Sequence, residues 1–497
     1  MVSSNIEHYR YFFSTPVEDH LRLQAGKNIE REVLALFQRA AAQVPAYGEF
    51  LRKNAVSPSH VTSLAAFSQL PLQTKSDYMR AYPLAQRCYG GAVGSSEILA
   101  VSSGSTGEPM FWPRTVVHEM DIAYRFEQVL KQQFDCDRKS TLAVICFTLG
   151  NWVGGVFTLS CCRLLAQKGL RLTMATPGNN VAEIMRVLNT LGDQFEQTVL
   201  FGYPPFLKTV LDAGSAAGFQ WGRYNVKMVF AGEVFSEEWR TLITERLQQD
   251  DAMLTTATLY GTADGGVLGN ETPFSIFIRR YLAAHPGVAR ELFGESRLPT
   301  LVQYDPLSRY FEVVNDTLVV TGDAGVPLIR YHIADKGGII PFDEMMQRLR
   351  DYGFDAQQDG AAYYARGSHA LPFVYLFGRA DFTVSFFGAN VYPENVTTAL
   401  EQHELMRSVS GKFVMETIEL ADGGKELRVT IELLPAVEPS EALRNELAQA
   451  IKARLLYLNS EYANYVPASH QLPQVVLKPN GDTEYFPAGI KHRYTRK

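Results

Sequence analysis

Short apolar runs alternate with amphipathic segments of helix length over the middle of the chain. The runs predict β-strands at residues 141–147, 172–175, 198–201, 227–231 and 253–260. Apolar positions three and four apart predict helices between them, at residues 180–191, 205–213 and 236–248. This alternation is typical of an α/β fold with parallel sheets, in which ligands gather beyond the carboxyl ends of the strands.

The pattern changes on both sides of this region. Residues 28–44 predict a helix with Asn28 as its N-cap, and Thr74 is placed to cap another. Residues 311–340 predict an antiparallel meander, and we interpret the irregular stretch 341–371 as an insertion over a ligand site. A compact α/β module is then predicted from a helix, two strands, a helix and a strand at residues 393–403, 412–419, 426–434, 440–457 and 474–478.

We therefore predict an α/β protein of two domains, because 497 residues are too many for one compact core. The large N-terminal domain comprises residues 1–379, with mainly parallel sheets and a small β-meander. The small C-terminal α/β domain comprises residues 380–497.

Composition excludes several classes of function. A net charge of −6 argues against nucleic-acid binding, which needs a basic face. No apolar run approaches the roughly 18 residues of a membrane span, and the first residues contain no apolar signal segment. The cysteines are odd in number and form no C-x-x-C pair, which favours free thiols in a reducing compartment. We expect a cytoplasmic protein.

Candidate chemistry begins at a serine- and glycine-rich loop after the apolar run 98–101. Its glycines permit a tight backbone whose successive N–H groups can surround phosphate oxygens. An ordinary surface loop is the alternative that the loop alone leaves open. Neither the Gly-x4-Gly-Lys spacing of a P-loop nor the Gly-x-Gly of a dinucleotide fingerprint occurs in the chain. The candidate phosphate-binding residues are Ser102, Ser103, Gly104, Ser105, Thr106 and Gly107.

Two carboxylates close predicted strands. Asp264 follows Tyr260 and three small residues, so that a ring for base contacts precedes an oxygen ligand suited to Mg²⁺. A β-turn with a helix-capping aspartate is the alternative for this segment. Asp335 ends an apolar strand, where a carboxylate can accept two hydrogen bonds from a ribose diol.

Six segments in this order resemble the adenylate-forming superfamily, and the phenylacetate–CoA ligase branch in particular. The loop Ser-Ser-Gly-Ser-Thr-Gly-Glu-Pro is similar to that branch's Ser-Ser-Gly-Thr-Thr-Gly-Lys-Pro, and Gly-Arg-Ala-Asp through Gly-x-Asn-Val-x-Pro is similar to its hinge. The resemblance spans almost the whole chain, in segments 70–83, 102–109, 231–233, 260–264, 327–335 and 378–393.

The resemblance implies ATP-dependent activation of a small carboxylic acid, which we interpret as aromatic, as an acyl-AMP. The acyl group would then pass to the thiol of coenzyme A. One alternative is transfer to the phosphopantetheine of an acyl or peptidyl carrier protein, or amide formation, and another is a degenerate nucleotide- or acyl-binding protein. The implied cofactors are ATP and Mg²⁺, with coenzyme A as co-substrate. We expect no nucleic-acid or membrane partner, and a homodimer stays open.

The resemblance also implies roles for single residues. The serine-rich loop would hold the ATP phosphates, Asp335 the ribose hydroxyls and Asp264 the metal ion. The segment after the predicted strand 227–231 would face the base. The segment that begins at Tyr260 would face the base or the substrate carboxylate. These two segments comprise Gly232, Glu233, Tyr260, Gly261 and Thr262.

Three residues would act in catalysis. Arg379 would reach the ribose or phosphate, and Asp381 would be the hinge about which a mobile C-terminal domain rotates. Lys491 would bridge the carboxylate and the α-phosphate, with Lys478 or a merely solvated basic tail as alternatives. Glu108 departs from the family, because it stands where the family has a phosphate-side lysine.

The resemblance places the acid pocket after the first predicted strand. Trp152 can stack on an aromatic acid, although a tryptophan of the hydrophobic core is an equal alternative. The implied pocket residues are Asn151, Trp152, Gly154, Gly155, Tyr203 and Tyr260.

Overall fold

The structure is a computed structural model that describes residues 2–102, 110–150, 153–295, 297–367, 369–379, 384–387, 389–419, 425–487 and 494–496. Its helices are α1 Val2–Ser14, α2 Val17–Ala25, α3 Ile29–Gln43, α4 Pro45–Lys53, α5 Leu64–Phe67, α6 Leu84–Arg87, α7 Val116–Glu127, α8 Val153–Lys168, α9 Val181–Leu191, α10 Pro204–Ala216, α11 Glu237–Arg246, α12 Pro273–Ala284, α13 Pro286–Phe293, α14 Phe342–Asp351, α15 Ala356–Asp359, α16 Ala361–Tyr364, α17 Pro393–Leu400, α18 Glu441–Leu458 and α19 Ser460–Tyr465.

The strands alternate with these helices, which confirms the predicted α/β class. They are β1 Ile98–Val101, β2 Phe111–Arg114, β3 Thr141–Ile145, β4 Leu172–Ala175, β5 Gln197–Gly202, β6 Val226–Ala231, β7 Thr256–Thr262, β8 Gly266–Asn270, β9 Thr300–Gln303, β10 Tyr310–Val314, β11 Thr317–Gly322, β12 Leu328–Ile340, β13 Phe373–Arg379, β14 Val384–Phe386, β15 Ala389–Val391, β16 Val409–Glu419, β17 Lys425–Leu433 and β18 Gln474–Lys478.

Eleven of the described strands form one sheet, in the order β10-β11-β12-β13-β9-β8-β7-β6-β5-β3-β4. Strands β4, β3, β5, β6 and β7 pair in parallel. Strand β8 turns back antiparallel to β7, and the antiparallel strands β9 to β13 continue the sheet beyond it. The predicted parallel strands and the predicted meander are therefore both present, and they belong to one continuous sheet.

The parallel strands are covered on both faces, as their nearly continuous apolar sequences require. Every residue of β3 and β5 is buried. Helices α7 and α8 pack on one face, with Phe157 and Leu165 in that core. Helices α9, α10 and α11 cover the other face, with Ile184, Leu207 and Ile243 in a second core.

Both predicted helix caps are confirmed. The Asn28 side chain accepts a hydrogen bond from Arg31 N at 3.0 Å, at the start of α3. The Thr74 hydroxyl accepts one from Asp77 N at 3.0 Å, where a short helical turn, Lys75–Met79, begins. Each side chain satisfies a backbone donor that the first turn of a helix cannot.

The interpretation of residues 341–371 as an insertion over a ligand site is wrong. Helix α14 is amphipathic and packs, with α15 and α16, against α12 in a core that contains Phe274, Phe342 and Leu349. None of the described residues of this stretch lines the cavity that contains the candidate site. The stretch supports the antiparallel half of the sheet instead.

Residues 384–477 contain a hydrophobic core of their own. Strands β16, β17 and β18 form a three-stranded sheet on which α17 and α18 pack, around Phe413, Ile431 and Ile451. Residues 380–383 lie outside the described part of the chain. The boundary at 379/380 therefore stays a prediction. We call the described residues from 384 onward the C-terminal module.

The C-terminal module contacts the rest of the chain through polar groups and through Met406, which is buried in the core beneath α9, α10 and α11. Lys208 Nζ donates to Val409 O at 3.2 Å, and Arg297 donates to Glu394 at 3.2 Å. The Arg297 guanidinium also lies over the Tyr392 ring, 3.7 Å from its centroid. Such contacts resemble those of interfaces between separable domains, which are more polar than a core.

All five cysteines are free and buried, as the sequence predicts: Cys88, Cys136, Cys146, Cys161 and Cys162. Burial raises the pKa of the Cys136 thiol to about 12 and raises those of the other four thiols as well. Within the described residues, no helix is both long enough and apolar enough to cross a lipid bilayer.

Candidate functional site

The carboxyl ends of β5, β6 and β7 open into a cavity of about 320 Å³. Its walls also come from β2, β12, α8 and the C-terminal module. Residues far apart in the chain meet here because the carboxyl ends of parallel strands share one edge of a sheet. The predicted site residues that line it are Ser102, Gly154, Tyr203, Gly232, Glu233, Tyr260, Gly261, Thr262, Asp264 and Asp335.

Asp335 and Tyr260 are joined directly inside this cavity. The Tyr260 hydroxyl donates to Asp335 Oδ2 at 2.7 Å, and both side chains are 6% exposed. Asp335 lies on β12, where its Cα pairs across the sheet with that of Arg379, at the end of β13. The sheet thus brings three predicted nucleotide-binding positions to one place, although only the backbone of Arg379 is described.

Ser102 marks the entry of the serine-rich loop into the cavity. Strands β1 and β2 form a hairpin, and Ser102 N donates to Met110 O at 3.0 Å. Met110 N donates back to Ser102 Oγ at 3.0 Å. Both ends of the loop are therefore fixed beside the cavity, whereas residues 103–109 lie outside the described part of the chain.

Gly232 and Tyr203 pack closely at the ends of β6 and β5. Gly232 has a φ of +85°, and a Cβ there would lie 2.7 Å from Tyr203 Cε1. Only glycine combines this backbone conformation with such a close contact. Burial and the nearby Glu233 carboxylate raise the pKa of Tyr203 to about 12, so its hydroxyl stays protonated at neutral pH.

The turn between β7 and β8 presents the predicted metal ligand. Gly265 N donates to Thr262 Oγ1 at 3.0 Å and to Asp264 Oδ1 at 3.2 Å. Asp264 is 6% exposed and lines the cavity. In the described part of the chain no group of three or more candidate metal-ligating side chains occurs. Asp264 therefore offers the kind of single carboxylate that holds Mg²⁺ together with phosphates and water.

Part of the cavity lining is apolar. Its wall is aromatic, and burial of such rings favours an apolar or aromatic ligand group. Gly154 lines this region, but Gly155 does not, contrary to the expectation that both form the pocket. A Cβ at Gly155 would lie 2.5 Å from Thr148 O, so this glycine lets α8 pack closely on the end of β3. The aromatic wall comprises Trp112, Phe126, Phe147, Phe157 and Tyr203.

The C-terminal module closes the polar end. The Tyr494 hydroxyl donates to Glu233, and its backbone O accepts from Met415 N at 2.8 Å, which ties the tail to β16. Burial, and then the Glu233 carboxylate, raise the pKa of Tyr494 well above its usual range. Neither Tyr494 nor Glu394, which also lines the cavity, is marked in the sequence by a recognisable motif.

Acidic side chains outnumber basic ones in the described lining of the cavity. The acidic residues are Glu233, Asp264, Asp335 and Glu394, and the basic ones are Lys75 and Arg80. Burial raises the pKa of Glu394 despite the nearby Arg297 guanidinium. The sequence prediction missed both basic residues, although Lys75 follows directly on the recognised cap Thr74.

Comparisons with known proteins agree on the architecture. The chain matches a 2-hydroxyisobutyryl-CoA ligase in the postadenylation state, in complex with R3-HIB-AMP, with a TM-score of 0.67 and 15% identity over 94% of this chain and 88% of that one. It matches the same ligase in complex with 2-HIB-AMP and CoA in the thioesterification state with a TM-score of 0.53 and 16% identity over 94% and 88% of the two chains.

The chain has the fold of this CoA ligase. At this identity, structural likeness establishes the fold rather than the substrate. No protein-family model matches the sequence, and no curated protein matches it either. This fold is the one that the resemblance of the six sequence segments implied, and the phenylacetate–CoA ligase branch stays a prediction.

Several predicted residues of this fold lie outside the described part of the chain. For Arg379 the backbone alone is described. The proposed roles of the undescribed residues therefore depend on their positions in the sequence, next to described neighbours such as Ser102, Val153 and Tyr494. They are Ser103, Gly104, Ser105, Thr106, Gly107, Asn151, Trp152, Asp381 and Lys491.

Proposed function

We propose that this protein uses ATP to activate a small aromatic carboxylic acid as an acyl-AMP and then transfers the acyl group to the thiol of coenzyme A. The observation that carries the proposal is the single cavity that joins Ser102 to Asp335. Ser102 and Asp335 are far apart in the sequence, yet both line this cavity, and Tyr260 binds Asp335 within it.

The polar part of the cavity suits a nucleotide. The serine-rich loop would hold the phosphates, and Asp335 would accept the ribose hydroxyls, with Arg379 beside it. Gly232, Glu233 and the segment Tyr260-Gly261-Thr262 would border the base and the substrate carboxylate.

The apolar part suits the acid. The wall around Phe147 and Phe157 would bind the aromatic ring of the acid, and the carboxylate of the acid would then face the polar part of the cavity. Tyr203 lies between the two parts, with its ring edge against Phe147 at 5.0 Å between centroids. The undescribed Asn151 and Trp152 immediately precede the lining residue Val153, which supports placing them in the same subsite.

The chemistry joins two anions. The carboxylate oxygen attacks the α-phosphorus of ATP, forms the acyl-AMP and releases pyrophosphate, and the thiol then attacks the acyl carbon and releases AMP. Rate depends on in-line positioning and on positive charge at the α-phosphate. Lys491 would supply that charge, and the Asp264 carboxylate fits a bound Mg²⁺, which would neutralise phosphate charge when present.

The position of the C-terminal module supports the first step. Of the two ligase structures, the one in the postadenylation state matches better, with a TM-score of 0.67 against 0.53 for the thioesterification state. Tyr494 extends from the module into the cavity and binds Glu233. The second step would need the module to rotate about Asp381, which would withdraw Tyr494 from the site.

The Glu401 carboxyl makes this closure sensitive to pH. It accepts hydrogen bonds from the Ser236 hydroxyl and from Ser236 N, at 3.3 Å, across the contact. Burial raises its pKa to about 8, although the two Ser236 hydrogen bonds oppose the rise. An exposed glutamate has a pKa of about 4.3. Closure therefore binds a proton and weakens as the pH rises from about 4.3 towards 8.

We expect the wild-type module to shift towards open arrangements between pH 6 and pH 9, and Glu401→Gln to abolish that dependence. Glutamine keeps an acceptor for Ser236 but does not titrate. Small-angle X-ray scattering across this pH range measures the shift, and the exposed Glu404→Gln is the matched control. An unchanged pH dependence in Glu401→Gln would assign the titration to another group.

The decisive experiment is ATP–pyrophosphate exchange with a panel of aromatic, aliphatic and amino acids, followed by AMP release with and without coenzyme A. We expect exchange with an aromatic acid and AMP release that requires coenzyme A. Release only with a phosphopantetheinyl protein or an amine would move the activity to the carrier-loading or amide-forming class. No exchange with any acid would leave a binding protein.

A further inference from the structure

We propose that Arg114 and Arg309 are positioning residues that hold the turn of residues 263–265 from behind and supply positive charge to the nucleotide end of the cavity. This inference rests on the proposed function. It addresses an imbalance in the described lining, where four carboxylates face two basic side chains. ATP brings further negative charge to such a site.

Both guanidiniums bind backbone carbonyls of the turn. Arg114 ends β2, and it donates to Asp264 O at 3.1 Å and to Ala263 O. Arg309 precedes β10 and donates to Gly265 O from Nε at 3.3 Å and from its terminal nitrogen at 3.0 Å. Three consecutive carbonyls are thus held by two side chains that are 1% and 3% exposed.

This arrangement fixes the side of the turn that faces the cavity. With its carbonyls bound from behind, the turn is also closed by the Gly265 N–H, which donates to Thr262 and Asp264. The Asp264 carboxylate therefore owes its position at the cavity to contacts on both sides of the backbone. Loss of the arginine contacts would free the turn and displace that carboxylate.

The pair also contributes charge. Burial, and then the Arg309 guanidinium, lower the pKa of Arg114 to about 10, so Arg114 is still protonated at neutral pH. His118 Nε2 accepts a hydrogen bond from Arg309 at 2.8 Å, and burial holds the pKa of His118 well below its usual range. The histidine is therefore neutral. Asp121 pairs with Arg309 at 3.3 Å, whereas the acceptors of Arg114 in the described chain are neutral carbonyls.

Arg114 is buried, and a buried positive charge acts on its surroundings more strongly than a solvated one, because little water screens it. Arg114 lies directly behind a residue that lines the cavity. Its field favours anionic oxygens on the other side of the turn. We therefore expect Arg114 to affect the binding of MgATP rather than that of the acid.

The test compares Arg114→Gln and Arg114→Lys with the wild type in ATP–pyrophosphate exchange. Loss of charge-assisted hydrogen bonds predicts that Arg114→Gln raises the KM for MgATP about 10- to 100-fold, with the KM for the acid unchanged. The Mg²⁺ concentration for half-maximal activity should rise as well. Arg114→Lys should recover a large part of the MgATP effect, because it keeps the charge and one donor.

Arg125→Gln is the matched control, since Arg125 is also buried, at 2% exposure, and lies 3.9 Å from Asp305 rather than on the turn. It should lower Tm and leave the KM for MgATP unchanged. Equal rises in both KM values, or an MgATP effect of the same size in Arg125→Gln, would overturn the proposal. Should Arg114→Gln not fold, Arg114→Lys and Arg309→Lys carry the same comparison.

If the proposed function is wrong, the exchange assay gives a different result. In that case the wild type shows no exchange with any acid, and calorimetry with MgATP alone then decides the present inference. Weaker MgATP binding by Arg114→Gln than by the wild type supports it. Equal binding, or no binding by either protein, overturns it.

Discussion

Replacement of Lys491 by alanine is expected to slow ATP–pyrophosphate exchange by about 10²- to 10³-fold, the loss typical of one preorganised charge at a transition state. The reaction of a supplied acyl-AMP with coenzyme A should keep its wild-type rate. Lys491 would stabilise charge at the α-phosphate only while the acyl-AMP forms. Separate assays of the two half-reactions measure the difference.

The described residues near the two lysines favour Lys491 over Lys478 as the source of charge at the α-phosphate. Tyr494, three positions beyond Lys491, lies in the cavity and binds Glu233. Lys478 lies on β18 and outside the cavity lining, where it forms ion pairs with Asp482 at 3.6 Å and Glu484 at 3.8 Å. A chain that enters the site at Tyr494 can carry Lys491 there, because a few residues span the distance.

Lys478→Ala is therefore the control, and we expect it to leave both half-reactions within about twofold of wild type, as surface ion pairs contribute little. Equal losses in both half-reactions for Lys491→Ala would contradict its assignment to the first step. A large loss for Lys478→Ala with none for Lys491→Ala would transfer the role to Lys478.

Asp335→Ala is expected to raise the KM for ATP by at least about 100-fold, because a carboxylate that accepts two ribose hydrogen bonds contributes roughly 1.5–3 kcal/mol with each. The same change removes the acceptor of the Tyr260 hydroxyl, 2.7 Å away. Steady-state exchange kinetics at saturating acid measure the effect. Tyr260→Phe, which keeps the carboxylate, should cause a smaller rise of about tenfold.

A second nucleotide isolates the ribose contact. The wild type should use 2′,3′-dideoxy-ATP poorly, because this analogue lacks the hydroxyls that Asp335 would bind. Asp335→Ala should use ATP and the analogue equally well, because the variant lacks the carboxylate that would bind the hydroxyls of ATP. The four combinations form a double-mutant cycle, with the ribose hydroxyls as the second mutation. Full discrimination by Asp335→Ala would place the ribose against other groups.

Much of the sheet could be predicted because its central strands are covered on both faces. Strands β3, β5 and β6 are short, continuous apolar runs between helical segments, and this pattern has few other solutions. The rule that ligands lie at carboxyl ends of strands then selected Gly232, Tyr260 and Asp264 from local sequence alone. All three line the cavity.

The remaining features depend on tertiary contacts that leave no local pattern. Arg114, at the end of β2, and Arg309, before β10, act on one turn, and Tyr494 reaches the cavity from the last residues of the chain. Gly155 was assigned to the pocket with Gly154 through the family resemblance, but its close contact with Thr148 O can be seen only once α8 is packed. Helix α14 was missed because its amphipathic pattern was interpreted as irregular, although Met345 and Leu349 form its buried face.

The burial of all five cysteines simplifies the study of the module's rotation. Maleimides react with exposed thiolates, and these thiols are both inaccessible and high in pKa. A cysteine introduced at exposed Leu191 on the large domain and another at exposed Tyr457 on α18 would be the reactive pair in the native protein. Fluorophores at these two positions would report the angle between the domains during turnover without removal of any native cysteine.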